Sequence, residues 1–213
     1  EKILPGGVYS QTLRSPLAEP GVDVKEGDYI VAIDGIPTSS VKNIYQLLVG
    51  KANVLTELSI SSSASAEGAR KVVVSPIDNE YPLYHYNWVQ ENIRKVSEAT
   101  NGRVGYIYIP DMSAEGLNEF ARYFYPQLDK EALIIDDRAN GGGNVSPMII
   151  ERLLRQAYRM TMYRGQERNG TIPDATHHGP KVLLVDKYSA SDGDLFPWSF
   201  KANDLGTVVG TRT

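Results

Sequence analysis

Residues 181–196 read KVLLVDKYSASDGDLF. A continuous apolar run, VLLV, bounded by charged residues is the pattern of a buried strand. The chain then leaves it through Ser189, Ala190 and Ser191 and enters DGDLF, whose acidic residues suit the first turn of a helix, where unpaired N–H groups gather. Strand, small-residue turn and helix in this order predict one βα unit of an α/β domain. Ser191 stands at the turn. Its side chain is either an N-cap, as for most serines at a helix start, or a hydroxyl held clear as a nucleophile.

The same rhythm extends outward. Trp88, Ile93 and Val96 fall on one face of a helix that ends at Asn101 and Gly102, and the strand VGYIYIP follows. A helix over 114–125, the strand ALIID, a triple glycine, the helix VSPMIIERLLRQAY, a polar stretch, the strand KVLLVD, the helix DGDLFPWSFKAN and the strand start GTVVGT complete the pattern. Helices alternating with apolar strands predict a largely parallel sheet over 79–213. No repeat of 20 to 50 residues is visible.

Residues 1–78 read differently. GGVYSQTL, YIVAIDG, TELSISS and ARKVVVS predict short strands, AEPGVDVKEGD a turn, VKNIYQLLVG a short helix and SSSASAEG an exposed hairpin loop. A small β-rich domain is expected, with a joint at SPIDNEYP.

Composition narrows the function. The 213 residues, 41% hydrophobic and 23% charged, are enough to bury a real core. A net charge of −4 with scattered Lys and Arg gives no footprint for nucleic acid or an anionic membrane. No apolar run approaches a membrane span, and Glu1 opens no targeting segment. With no cysteine there is no disulfide, thiolate metal site or Cys nucleophile. The compartment stays open, with the cytoplasm favoured over the cell envelope.

Two strand ends carry unusual chemistry, and ligands gather at strand carboxyl ends in such sheets. One is DRANGGG at 137–143, where three glycines let main chain approach a ligand closely. It has neither the Lys-Ser/Thr of a phosphate-binding P-loop nor the spacing of a dinucleotide fingerprint. The other is YSASDGD at 188–194. Together the two resemble the tricorn proteases, relatives of the tail-specific, or C-terminal processing, serine peptidases. GYIYIPDM and the final GTRT are similar to that family too, and AEPGVDVKEGDYIVAIDGIPT resembles the turn and strand of a PDZ domain as these proteases carry it. The likeness spans nearly the whole chain.

That resemblance implies a ClpP/crotonase-like α/β protease core preceded by a PDZ-like domain. It implies Ser191 as nucleophile, with the N–H of Asp192 and that of Gly142 or Gly143 as an oxyanion hole. Peptides or unfolded polypeptides would be the substrate, and the full-length parent a homo-oligomer. Gly6, Gly7 and Val8 stand where a peptide-carboxylate loop would lie, or form a plain turn. In tricorn-like enzymes the base is a His before the PDZ domain, helped by a second Ser and a Glu beyond the nucleophile's helix; tail-specific relatives use a Lys that would fall past Thr213. The matching residues are not in this chain, so a fragment with little or no activity is expected.

His177 and His178 are expected in a surface loop at the opposite strand end from Ser191, and His85 as structural. No metal or cofactor is expected, since adjacent histidines do not splay onto one ion as an i, i+4 pair does. RMTMYRG at 159–165, which could line the cleft, has no carboxylate to select a basic residue. Two other readings stay open: a PDZ-like peptide-binding module on a non-catalytic α/β scaffold, and a crotonase-like acyl-CoA enzyme that uses paired N–H donors without a nucleophile.

Overall fold

The computed structural model describes residues 2–7, 9–165 and 170–213. The chain forms two compact units, residues 1–90 and 91–213, and the division falls inside the helix α1 (Tyr81–Ala99).

The first unit is built on a four-stranded antiparallel sheet in the order β2-β1-β3-β4, from β1 (Tyr29–Ile33), β2 (Ile36–Pro37), β3 (Thr56–Ser61) and β4 (Arg70–Val74). Asp34 and Gly35, both at positive φ (47° and 78°), make the two-residue turn between β1 and β2, the conformation that matches strand twist in tight hairpins. The Asp34 carboxylate accepts from Lys51 Nζ and from Glu57 N, and these bonds hold its pKa below the usual value. Alternation on β3 and β4 turns Leu58, Ile60, Val72 and Val74 inward, where they meet Val22 and Ile33.

Two expected elements take other forms. VKNIYQLLVG is not a helix of several turns: only Ile44–Leu47 coil, as one 3-10 turn capped by Asn43 Oδ1 on Tyr45 N. Ile44, Leu47 and Leu48 pack inward while Tyr45 and Val49 face solvent, and Gly50 (φ 72°) stops the coil before a stable α nucleus can form. GGVYSQTL is not a strand either. Ser10 Oγ accepts from Thr12 N, which starts a 3-10 turn over Gln11–Leu13, and the Gly7 N–H is used on Leu13 O. Gly6 packs so tightly that an added Cβ would lie 2.5 Å from Leu13 O. Val8 lies outside the described residues.

The second unit holds a parallel sheet in the order β10-β9-β6-β5, formed by β5 (Val104–Tyr108), β6 (Ala132–Asp136), β9 (Lys181–Val185) and β10 (Thr207–Gly210). The connections run through α2 (Ala114–Phe124), α3 (Ser146–Leu154) and α4 (Asp192–Ala202). Between α3 and β9 sits an antiparallel hairpin, β7 (Arg159–Thr161) with β8 (Gly170–Ile172), which the sequence pattern did not announce. Ile107, Ile135 and Leu183 from β5, β6 and β9 are fully buried, and so are Phe124, Ile149, Phe196 and Phe200 from the helices. Burying each such side chain contributes roughly 1.5–3 kcal/mol. Because β6 and β9 are neighbours, the glycine loop and the Ser191 turn leave adjacent strands at the same sheet edge.

Candidate active site

Past the end of β9, Asp186 Oδ1 accepts from Tyr188 N and from Ala139 N of the neighbouring loop. Ser189 is buried, and its hydroxyl donates to Asp137 O (3.0 Å). Ala190 N donates to Asn140 O (3.0 Å). Ser191 follows at φ 54°, ψ −125°, a backbone conformation suited to glycine. Its side chain makes no capping bond; instead its carbonyl accepts from Asp194 N and Leu195 N. Of the two readings of Ser191, the side-chain N-cap is therefore excluded. The hydroxyl is exposed and has no hydrogen-bond partner among the described residues.

The glycine loop is pinned from three directions. Gly142 N donates to Asn140 Oδ1 (2.9 Å), and Gly142 O accepts from Met112 N (2.9 Å). Met112, on the segment after β5, also accepts from Asn144 N (2.7 Å) and Val145 N (3.1 Å), a short parallel bridge around Gly143. Both glycines are obligatory. A Cβ on Gly142 (φ 97°) would lie 2.7 Å from Ser191 Cβ and 2.9 Å from Asp192 N, and one on Gly143 (φ 153°) would lie 1.9 Å from Met112 O.

These bonds separate the candidate donors. The Gly142 N–H is already taken, whereas the N–H groups of Gly143 and of Asp192 have no intramolecular acceptor among the described residues. Gly142 supplies close approach, and Gly143 and Asp192 supply free donors. The Asp192 amide also opens α4, where the helix dipole adds positive potential.

Beneath the exposed serine lie buried carboxyls. Asp136 accepts from Tyr106 Oη (2.6 Å) and from Arg138 Nε and Nη2 (2.8 and 2.5 Å). Burial, and the negative charge of Asp136, raise the Tyr106 hydroxyl well above its ordinary value. Asp137 is fully buried, with Oδ1 accepting from Asn140 Nδ2 (2.8 Å) and Oδ2 unpartnered. Burial first, then the nearby Asp136, Asp192 and Asp186, push its carboxyl up to about 9, so at neutral pH it is protonated. The Asp192 carboxylate turns inward and binds Ser146.

The histidines are elsewhere. His178 is exposed as expected, but His177 is not a surface residue: it is 5% exposed, with Nε2 on Lys130 O (2.9 Å) and Nδ1 unpartnered, because its loop folds under the start of β9. Burial lowers its pKa. His85 stacks between Tyr81 and Trp88 on α1. A cavity of about 450 Å³ lies beside His177, Lys181 and Arg155, near the amino end of β9 and away from Ser191. Among the described residues no cluster of His, Asp or Glu is placed to hold a metal, and no helix is long and apolar enough to cross a membrane.

The sequence pointed to Ser191, Asp192, Gly142 and Gly143, which the structure brings together, but gave no role to Met112, Ser146 or Asn140. Asn140 was within the quoted DRANGGG stretch. Besides Asp137 and Gly142 of that stretch, its partners are Ile109 and Ala190 from two other segments, which no local pattern reveals.

Comparison with known proteins places the chain in a family. The family described as Tricorn protease PDZ domain matches residues 1–79, and Peptidase family S41 matches residues 103–213. The chain is 40% identical over 216 residues to the Tricorn protease of Thermoplasma volcanium, covering 99% of this chain and 20% of that protein. It is 38% identical over 213 residues to Tricorn protease homolog 1 of Streptomyces coelicolor, covering 100% and 20%. The crystal structure of the tricorn protease superposes with a TM-score of 0.88 at 35% identity, covering 100% of this chain and 20% of that one. The chain thus spans about a fifth of the length of these relatives. A parallel α/β unit that follows a tricorn-type PDZ region agrees with these matches, and the chain belongs to peptidase family S41.

Proposed function

We propose that this chain is the nucleophile-bearing part of a tricorn-type serine endopeptidase that hydrolyses peptides or unfolded polypeptides. Ser191 Oγ attacks the scissile carbonyl carbon and gives its proton to a base. The tetrahedral oxyanion is held by the N–H groups of Gly143 and Asp192. The amine then leaves with a proton returned from the base, and water hydrolyses the acyl ester on Ser191 by the reverse sequence.

The observation that carries this reading is the pairing of an exposed Ser191, whose side chain has no hydrogen-bond partner among the described residues, with two N–H groups unclaimed among them, joined by a glycine whose added Cβ would touch Ser191. Loss of one such donor typically costs about 3 kcal/mol of transition-state stabilisation. Serine hydroxyls need a base, and none is hydrogen-bonded to Ser191 among the described residues. With no base in place at Ser191 among those residues, the isolated chain is expected to hydrolyse little or nothing.

The test compares Ser191→Ala with the parent in the full-length protein. Cleavage of an unfolded polypeptide and covalent labelling by a fluorophosphonate should both disappear while the melting temperature holds. Undiminished cleavage by Ser191→Ala would remove the proposal. Labelling of Ser191 would also count against the crotonase-like alternative, which has no nucleophile.

A further inference from the structure

We infer that Asn140 is the positioning residue of this site: it sets which amide faces the substrate and where the nucleophile stands, without touching either. The inference rests on the serine peptidase reading above.

Asn140 is fully buried, so it cannot contact a substrate. It nonetheless bonds to four residues, two in its own loop and one each in the segments after β5 and before Ser191, which converge at the carboxyl end of the sheet. Nδ2 donates to Ile109 O (3.2 Å), just past β5, and to Asp137 Oδ1 (2.8 Å), just past β6. Oδ1 accepts from Gly142 N (2.9 Å) in the glycine loop. Its carbonyl accepts from Ala190 N (3.0 Å), immediately before the nucleophile.

Each bond has a consequence for the chemistry. By capturing the Gly142 N–H, Oδ1 removes that donor from the cavity and fixes the peptide after it, so that the Gly143 N–H is the one left free. By holding Ala190, the carbonyl fixes the residue through which the chain enters the strained Ser191 conformation. Gly193 shows how close the fit is, since an added Cβ there would lie 2.4 Å from Asn140 O and 2.8 Å from its Oδ1. The two halves of the oxyanion hole come from different loops, and one residue spans both.

The residue type follows from the partners. The site asks for two donations and one acceptance from a short side chain, which an asparagine amide supplies. Reversing the amide would set an NH2 against the Gly142 N–H and an oxygen against Ile109 O, so the bonds select one orientation. A carboxylate would keep the acceptor and lose the donors. An alanine would lose both and leave Gly142 N, Ile109 O and Asp137 Oδ1 without that partner.

The experiment uses the full-length protein and three variants, Asn140→Ala, Asn140→Asp and Ser191→Ala. Steady-state kinetics on a peptide substrate are combined with inhibition by a peptidyl boronate, whose tetrahedral adduct on Ser191 places an oxygen at the two N–H groups, and by the matching non-covalent peptide. Misplacement of a reacting group by about 1 Å costs on the order of 100-fold. The expected result for Asn140→Ala is a kcat about 100-fold lower at nearly unchanged KM, with boronate affinity weakened about as much and peptide affinity unaltered. Asn140→Asp, close to isosteric, should fold and show the same split to a smaller degree.

A structural role alone would lower the melting temperature and leave kcat per folded site and the boronate-to-peptide ratio as in the parent. That result in either folded variant overturns the inference. It also fails if kcat and both affinities fall together. Activity surviving in Ser191→Ala would instead mean that the peptidase reading itself is wrong, and the inference would go with it.

Discussion

The Asp192 carboxylate accepts from both the main-chain N–H and the hydroxyl of Ser146, at 3.0 and 2.5 Å, and so ties the first turn of α4 to the first turn of α3. Both residues are buried. The residue whose amide is the proposed oxyanion donor thus has its own side chain anchored on another helix. Ser146→Ala removes one of the two bonds and leaves a buried carboxylate oxygen short of a partner. A loss of about 1–3 kcal/mol is expected, read as a lower midpoint in urea denaturation. An unchanged midpoint would show that the tie contributes nothing to stability.

Gly142 sits where no side chain fits. Gly142→Ala places a methyl 2.7 Å from Ser191 Cβ and 2.8 Å from Ala190 O, at a φ of 97° that alanine resists. The two loops must separate. Fluorophosphonate labelling of the full-length variant should fall by at least about tenfold, more than its loss of melting temperature explains. Labelling at the parent rate would mean that the loops do not share one cavity.

Ser191 holds a conformation that glycine adopts without penalty, and such residues store roughly 1–3 kcal/mol. Ser191→Gly should therefore raise the melting temperature relative to Ser191→Ala, although both lack the hydroxyl. Calorimetry of the pair decides this. Equal melting temperatures would locate the strain elsewhere.

Burial pushes the Asp137 carboxyl up to about 9 in the folded chain, against 3.8 for an ordinary aspartate. Between those values the native state holds a proton that the unfolded chain has released. The stabilising contribution is complete below about pH 4 and is lost as pH rises toward 9. Asp137→Asn keeps an oxygen for Asn140 Nδ2 and has no carboxyl to ionise. Its denaturation midpoint should fall less than the parent's between pH 5 and pH 8. Parallel pH profiles would mean that Asp137 is ionised in the folded protein.

Much of this architecture was legible because it is periodic. VLLV and ALIID declare buried strands by unbroken apolar character, and the acidic residues after Ser191 mark the start of α4. The 44–47 coil was not legible. Its spacing is helical, but whether a run between Asn43 and Gly50 grows beyond one turn depends on what packs against Val49, which is 79% exposed. The β7–β8 pair was hidden for a related reason, with only three residues in each strand and few of them apolar.

At the site, the candidate nucleophile could be named from sequence, and the residues bonded around it could not. Small neighbours drew attention to Ser191, but only the family resemblance favoured a nucleophile over an N-cap there. Asn140 acts through Ile109, Gly142 and Ala190, and only the fold brings those together. His177 shows the converse, since a polar neighbourhood in sequence gave no hint of its burial under β9.

The parallel bridge between Met112 and Gly143 makes one of the proposed donors an extension of the sheet's own hydrogen-bonding lattice, with backbone rather than a side chain as the working part. Machinery of that kind has little exterior for mutation to erode. The walls of the cleft are then free to diversify toward new sequences to be cut, while the grip on the reacting oxygen is inherited with the scaffold.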